Sequence, residues 1–134
     1  MFITRKAEFS ASHACFRQDW SAERNREVYG DQANPRGHGH NYVLEVTLQG
    51  DPDPVTGMVL DLKELKDIIN HEVVDPMDHR FLNHEVPPFD RVVPTPENIA
   101  REIWRRLAPR FSNGARLANV RLWETDDLFV DYSE

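Results

Sequence analysis

The sequence has almost no cysteine and no long apolar run. Cys15 is the single cysteine among 134 residues, which excludes an intrachain disulfide and favours a reducing compartment, the cytoplasm. No stretch approaches the ~18–20 apolar residues that a membrane-spanning helix needs. The first strand candidate begins at once and carries Arg5, Lys6 and Glu8 where a signal peptide would have an apolar h-region. A secreted or membrane-spanning protein is therefore not expected.

Positive charge is also scarce. The chain has 16 Lys and Arg against 23 Asp and Glu, a formal charge of −7 at pH 7. This balance argues against nucleic acid or an anionic membrane as a partner, but it permits a local basic pocket for a phosphorylated ligand. The length predicts one domain, residues 1–134, because two domains of half that size would each bury too little apolar surface.

Alternating apolar and polar residues predict strands near both ends of the chain. The apolar face of the first strand ends at His13. A second strand, at about residues 39–49, has its own apolar face: Tyr42, Leu44, Val46 and Leu48. A third strand places another alternate set on one face: Ala118, Val120, Leu122 and Glu124. A turn at Asp126 and Asp127 leads into a last strand over residues 128–132.

Two helices are predicted between the second and third strands. Asp61 begins the first helix and the pair Asp75–Pro76 ends it, while Thr95 is the N-cap of the second. A polar segment at residues 17–37 contains a short helix candidate at residues 22–28. The order β-β-α-α-β-β predicts an α+β fold, with an antiparallel four-stranded sheet and two helices on one of its faces.

Three histidines are spaced to meet. His38 and His40 flank Gly39, so on a strand their side chains point to the same face. That face is the apolar one, and His13 ends the apolar face of the first strand. If the two strands pair, three imidazoles converge and leave a fourth tetrahedral position open, as in a catalytic zinc site. The alternative is a set of ordinary histidines, which is the commoner origin of a lone His-x-His pattern.

Two other polar features have both a functional and a structural interpretation. Glu124 lies among the apolar positions of its strand. It either recognises adjacent N–H donors on a flat heterocycle or is exposed at the strand's end. Asp78 and His79 are neighbours in a polar loop, where a carboxylate can fix the imidazole tautomer and raise its basicity for proton transfer. Adjacent Asp-His pairs are also common by chance.

Six segments spread over nearly the whole chain carry a family resemblance. They are FSASH at 9–13, GHGHNY at 37–42, DPVTGM at 53–58, MDH at 77–79, Thr95, and WET at 123–125. In this order they resemble the 6-pyruvoyl-tetrahydropterin synthase family, which includes the 6-carboxy-tetrahydropterin synthases of queuosine biosynthesis.

The resemblance implies the tunnelling fold, whose subunits form trimers or dimers of trimers with active sites between subunits. It implies the substrate 7,8-dihydroneopterin triphosphate, from which triphosphate is eliminated to leave a 6-pyruvoyl product. The 6-carboxy branch also cleaves the side chain. On charge alone, Arg17 or Arg36 of the polar segment are candidates to meet the triphosphate.

The same resemblance implies roles for individual residues. The residues that match the family's ligands for Zn²⁺ are His13, His38 and His40. Those that match its pterin contacts are Thr95 and Glu124. Those that match its proton-transfer pair are Asp78 and His79.

The chain departs from the family at the catalytic cysteine. That residue lies six positions before the first histidine of the His-x-His motif in the 6-pyruvoyl branch and four before it in the 6-carboxy branch. Gln32 and Asn34 occupy these positions here, and neither amide is a general base.

Four explanations stay open. The first is that Cys15, which shares the face of His13, takes over as the general base. The alternative interpretation of Cys15 is a small hydrophobic residue buried in the core. An acid of the polar segment, Asp31 or Glu27, serves as base, as a glutamate does in some family members. His79 works alone with a zinc-bound water. The fourth explanation is that the protein has lost the synthase reaction.

The leading hypothesis is a zinc-dependent lyase of the 6-pyruvoyl type. The alternatives are the 6-carboxy reaction or another cleavage of the pterin side chain, a non-catalytic zinc- and pterin-binding oligomer, and a generic zinc hydrolase.

Overall fold

The computed structural model describes the whole chain, residues 1–134. Its centre is one sheet of five strands in the order β3-β1-β2-β4-β5. The strands are β1 (Phe2–His13), β2 (His38–Gly50), β3 (Arg80–Phe81), β4 (Ala115–Thr125) and β5 (Leu128–Tyr132). All neighbours are antiparallel except β1 and β3. The predicted α+β class is confirmed, and β1 pairs with β2, which was the condition for the three histidines to meet.

The expected count of four strands is wrong, because β3 adds a fifth. This strand has two residues, Arg80 and Phe81, which pair with Ala11 and Ser12 of β1. Two residues are too few to show an alternating pattern, so the sequence gives no signal for this strand.

Five helices connect the strands. They are α1 (Ala22–Tyr29), α2 (Leu62–Ile69), α3 (Asp75–Met77), α4 (Leu82–Glu85) and α5 (Pro96–Leu107). The side chains of Asp61 and Thr95 cap α2 and α5 as predicted. The short helix expected near residues 22–28 is α1. None of the helices combines the length and the apolar character needed to cross a membrane.

The first long helix does not end at Asp75–Pro76 as expected. A π-helical turn at Asn70–Val74 joins α2 to α3, and the winding continues to Met77. A π turn is wider than an α turn, which accommodates a proline that has no N–H and whose ring would crowd the preceding turn.

The buried face of the sheet packs against α2 and α5. α2 lies on β1, and α5 lies on β4 and β5. A core of 24 buried residues fills the space between them. One detail differs from the predicted alternation, because a bulge in β4 places Leu117 rather than Ala118 on the buried face. Beyond the bulge, the predicted face from Val120 to Glu124 holds.

Candidate metal and pterin site

The three histidines meet where β1 ends and β2 begins. His13 is paired with His38 in the register of the two strands, and His40 lies two residues further along β2 on the same face. Their ring centroids are 4.6, 4.9 and 5.1 Å apart. One nitrogen from each ring lies within 4.8 Å of the other two. A single metal ion fits between nitrogens at this spacing.

The backbone conformation just before His38 requires a glycine, Gly37. Gly37 has φ +74°, a region that side chains rarely adopt. A Cβ atom at this position would lie 2.8 Å from the ring of Phe81 and 3.1 Å from the carbonyl oxygen of His13. Only glycine fits here, and it allows β2 to begin directly opposite the end of β1.

The His13 ring is oriented for coordination by its other nitrogen. Its Nδ1–H donates to the carbonyl oxygen of Pro94 at 2.7 Å, which fixes the tautomer with a lone pair on Nε2. Burial, with smaller effects from His38 and His40, lowers the pKa of His13 to about 4. Burial also lowers the pKa values of His38 and His40. All three rings are therefore neutral at pH 7, the form that binds a metal.

Four buried side-chain polar atoms in the chain lack a hydrogen-bond partner, and they lie in one place. They are His13 Nε2, His40 Nε2, Tyr42 Oη and Glu124 Oε2. Buried polar groups in folded proteins are nearly always paired, and each exception needs an explanation. A metal accounts for the two imidazole nitrogens, so the donor set fits a bound cation.

Glu124 is buried beside the histidines, not exposed at the end of its strand. It retains 7% of its exposure, and its Oε1 lies 3.8 Å from His40 Nε2. Burial raises the pKa of Glu124, and the charge of Glu97 adds to this effect. An unpaired buried carboxylate is costly in the free protein, which is typical of a group that waits for N–H donors on a ligand.

Thr95 and Glu97 lie at the start of α5, close to this site. Thr95 Oγ1 accepts from the N–H of Asn98 at 3.3 Å as the N-cap. Glu97 is exposed, but its charge raises the pKa values of both Glu124 and Cys15. Sequence reasoning did not single out Glu97, although the acidic residue two positions after the N-cap was the available signal.

The comparisons with known proteins agree with this geometry. Residues 2–134 match the family described as 6-pyruvoyl tetrahydropterin synthase. The chain belongs to this family. Its sequence is 45% identical over 131 residues to the 6-pyruvoyl tetrahydrobiopterin synthase of Poecilia reticulata, covering 98% of this chain and 88% of that protein. The human protein of the same name is 42% identical over 130 residues, covering 97% of this chain and 89% of that protein.

Two further comparisons concern a solved structure and a member of the 6-carboxy branch. The 6-pyruvoyl tetrahydropterin synthase structure from Caenorhabditis elegans superposes with a TM-score of 0.94 at 37% identity, covering 100% of this chain and 95% of that chain. A 6-carboxy-5,6,7,8-tetrahydropterin synthase from Haemophilus influenzae is 31% identical over 117 residues, covering 72% of this chain and 82% of that protein. Family membership supports a lyase function in pterin biosynthesis.

Asp78 and His79 are bonded to each other but not to the histidine cluster. His79 Nδ1 lies 2.9 Å from Asp78 Oδ2, and Asp78 Oδ1 accepts from the Ser10 N–H at 2.8 Å. The Ser10 N–H, followed by His79, lowers the pKa of Asp78. The His79 side chain is 82% exposed and its φ is +60°, rare for a residue other than glycine.

His79 borders a depression of about 500 Å³ that is also lined by Ser10, Ser12, Gly39 and Asn41, and by His40 of the histidine cluster. Ser10, Ser12, Gly39 and Asn41 have the opposite parity to the metal-binding histidines and belong to the other face of the sheet, whereas His40 is itself one of those histidines. Within one chain, no hydrogen bond joins the Asp-His pair to the histidine cluster, but both border the same depression through His79 and His40.

Gln32, where the 6-pyruvoyl branch of the family has its catalytic cysteine, lies next to Cys15. The Cys15 N–H donates to the Gln32 carbonyl oxygen at 2.8 Å. The thiol of Cys15 is fully buried, and burial, with Glu124 and Glu97, raises its pKa to about 11. This environment favours the neutral thiol, the inert form of a cysteine.

The other candidates of the polar segment are exposed. Glu27 lies on α1, and Asp31 lies in the 3₁₀ turn that follows it. Asn34 ends that turn and is also exposed. Arg17 forms a two-pronged pair with Asp19, at 2.7 and 2.8 Å, so part of its charge is already neutralised. Arg36 is exposed and forms no ion pair within the chain.

Proposed function

We propose that the protein, as one domain, is a zinc-dependent 6-pyruvoyl tetrahydropterin synthase that eliminates triphosphate from 7,8-dihydroneopterin triphosphate. The observation that carries this proposal is the gathering of every orphaned buried polar atom of the chain around one cluster of imidazoles and one carboxylate. The higher identity to proteins named 6-pyruvoyl tetrahydrobiopterin synthase supports this branch over the 6-carboxy branch.

Zinc is the metal that this donor set favours. Three neutral imidazoles with no further protein ligand are typical of catalytic zinc, which keeps a fourth position for substrate. Bound zinc would supply Lewis acidity that makes the C–H next to a coordinated hydroxyl more acidic. His13, His38 and His40 would hold it, with Pro94 fixing the ring of His13.

Glu124 would anchor the pterin ring. A carboxylate accepts two hydrogen bonds side by side, which suits the 2-amino group and the ring N–H of a pterin. Glu124 has the free oxygen and the buried position for this contact. Thr95, at the start of α5, is the second contact that we propose.

Asp78 and His79 would move the protons. Asp78 is held ionised by Ser10 and accepts from Nδ1 of His79, which leaves Nε2 of the imidazole free to take a proton. The reaction needs proton transfer between the side chain and the ring, with loss of triphosphate and no external oxidant. Of the candidate replacements for the cysteine, Glu27 and Asp31 are exposed and acidic, whereas the thiol of Cys15 is held neutral.

We propose that a homo-oligomer, a trimer or a dimer of trimers, completes the site. The lack of any hydrogen bond between the Asp-His pair and the histidine cluster within one chain supports this proposal. So do the open sheet edges, because β3 covers only Ala11 and Ser12 of β1, and β5 has no outer neighbour. Leu128 and Phe129 of that edge strand are 46% and 41% exposed.

A turnover assay tests the function directly. Zinc-loaded protein is incubated with 7,8-dihydroneopterin triphosphate, and the products are identified by mass spectrometry. We expect triphosphate and a 6-pyruvoyl pterin. A 6-carboxy pterin would assign the other branch, and binding without turnover would indicate the non-catalytic oligomer. A Glu124→Gln variant with full hydrolytic activity on unrelated esters would instead favour a generic zinc hydrolase.

A further inference from the structure

Tyr42 carries a buried hydroxyl for which neither the fold nor the metal supplies a partner. It is one of the four orphaned atoms, and the others are accounted for by a metal or by the N–H donors of a pterin. A phenylalanine would fill the same space without leaving a polar atom unpaired. The hydroxyl therefore costs stability in the free protein, and the fold gives no reason for it.

Aromatic neighbours fix the position of this hydroxyl. The Tyr42 ring stacks on Phe9 with centroids 5.0 Å apart and an interplanar angle of 17°. Its ring also meets His40 and His13 edge-on, at 5.5 and 6.2 Å. The ring cannot turn away without losing these contacts, so it stays beside the metal-binding histidines.

The register of the sheet places Tyr42 beside Glu124. Val43 of β2 pairs with Trp123 of β4, and Tyr42 and Glu124 are the next residues along each strand. Both are buried on the face that carries the histidine cluster. An orphaned hydroxyl donor thus neighbours an orphaned carboxylate oxygen, and one ligand edge with donors next to an acceptor would satisfy both.

We propose that Tyr42 is a specificity-determining residue whose hydroxyl donates a hydrogen bond to the 4-oxo oxygen of the pterin bound at Glu124. A 2-amino-4-oxo ring presents two N–H donors and then a carbonyl oxygen along one edge. Glu124 accepts from the donors, and Tyr42 donates to the acceptor. This assignment rests on the proposed function and identifies which ring edge the site recognises.

The test compares two ring systems in zinc-loaded Tyr42→Phe and wild-type protein. Neopterin has the 4-oxo oxygen, whereas a 2,4-diaminopteridine with the same side chain has an amino group there. We expect Tyr42→Phe to bind neopterin about 5- to 20-fold more weakly, because the carbonyl oxygen loses its buried donor. The affinity for the diamino ring should stay the same or rise. Titration calorimetry measures both.

Two further measurements separate this role from a structural one. The ligand-free Tyr42→Phe protein should hold the same zinc and unfold at the same or a higher temperature, since no hydrogen bond is lost. Tyr132→Phe is the matched control, because its hydroxyl already has a partner within the chain, Glu134 at 2.7 Å, and both affinities should match those of wild type.

The outcomes distinguish this inference from the proposed function. If wild-type protein prefers neopterin and Tyr42→Phe keeps that preference, the inference is wrong while the function stands. If wild-type protein binds neither ring, the proposed function fails and the inference fails with it. If Tyr42→Phe unfolds at a lower temperature and its affinities are unchanged, the hydroxyl has a hydrogen-bond partner inside the fold and the inference is wrong.

Discussion

Glu102 on α5 and Glu124 on β4 are equally well buried, at 5% and 7% exposure, but their surroundings differ. Glu102 accepts from Arg105 at 2.6 and 2.7 Å and from Arg106 at 2.9 Å. Burial by itself would raise the pKa of Glu102, but these hydrogen bonds outweigh it and hold the pKa below its usual value. Glu124 has no such donors, one orphaned oxygen and a raised pKa.

This difference separates a structural carboxylate from a functional one. The ion pairs of Glu102 are complete within the chain, and Arg106 also donates to the carbonyl oxygens of Glu72 and Pro87, which ties α5 to its surroundings. The polar atoms around Glu124 are left incomplete by the fold and are completed only by a metal and a ligand. Substitutions at the two places should therefore affect different properties.

The largest expected effect is at the metal. His38→Ala should abolish stoichiometric zinc binding, about one ion per chain in wild type, and lower turnover at least about 100-fold, because two imidazoles hold zinc poorly. Metal analysis and the turnover assay measure this. His71→Ala is the control, since that ring is exposed and contacts Glu72. An active His38→Ala protein without metal would overturn the zinc assignment.

Glu124→Gln should lower kcat/KM for the pterin substrate about 100-fold, since an amide replaces one acceptor with a donor and loses the charge. The ligand-free variant should be as stable as wild type or more stable, because an unpaired buried carboxylate is removed. Steady-state kinetics and urea unfolding measure the two effects. Reduced stability with unchanged kinetics would make Glu124 a structural residue like Glu102.

Glu102→Gln should show the opposite pattern. Removing the charge leaves Arg105 and the half-buried Arg106 without their carboxylate, and we expect a loss of about 2 kcal/mol in the free energy of unfolding. Zinc content and pterin affinity of the folded protein should stay unchanged. Urea unfolding measures the loss. A variant of wild-type stability would show that the two arginines find other partners.

The stability contributed by Glu102 should also depend on pH. The pKa of its carboxyl is lower in the folded chain than the value of 4.5 for an unperturbed Glu. Its contribution is therefore fully present above pH 4.5 and is lost as the pH falls through the folded pKa. The stability difference between wild type and Glu102→Gln should shrink in that range, as urea unfolding at several pH values would show. A constant difference would contradict the ion-pair explanation.

The smallest expected effect is at the buried thiol. Cys15→Ala should keep its zinc and retain turnover within about 3-fold, because a thiol with a pKa of about 11 is protonated at pH 7. The turnover assay decides this. Lost turnover with retained zinc would instead make Cys15 the base that replaces the family's cysteine, and Glu27→Gln and Asp31→Asn would then have no effect.

The sequence predicted the strand faces well, because alternation is a local property. It placed His13, His38 and His40 on one face and matched both helix caps. It missed β3, whose two residues carry no pattern, and the bulge that moves Ala118 off the buried face. It also placed the end of the first helix too early, because a π turn accommodates Pro76. The first two misses depend on pairing between distant strands, whereas the third is a local change in the winding of the helix.

The sequence by itself determined which residues share a face, since that follows from the two-residue period of a strand. Only the tertiary structure decided which of their polar atoms are left without a partner. Glu102 has Arg105 and Arg106 three and four positions further along the same helix, so its ion pairs are local in the sequence. The surroundings of Glu124 come instead from a separate strand, because His40 of β2 lies beside one of its oxygens and no donor packs against the other.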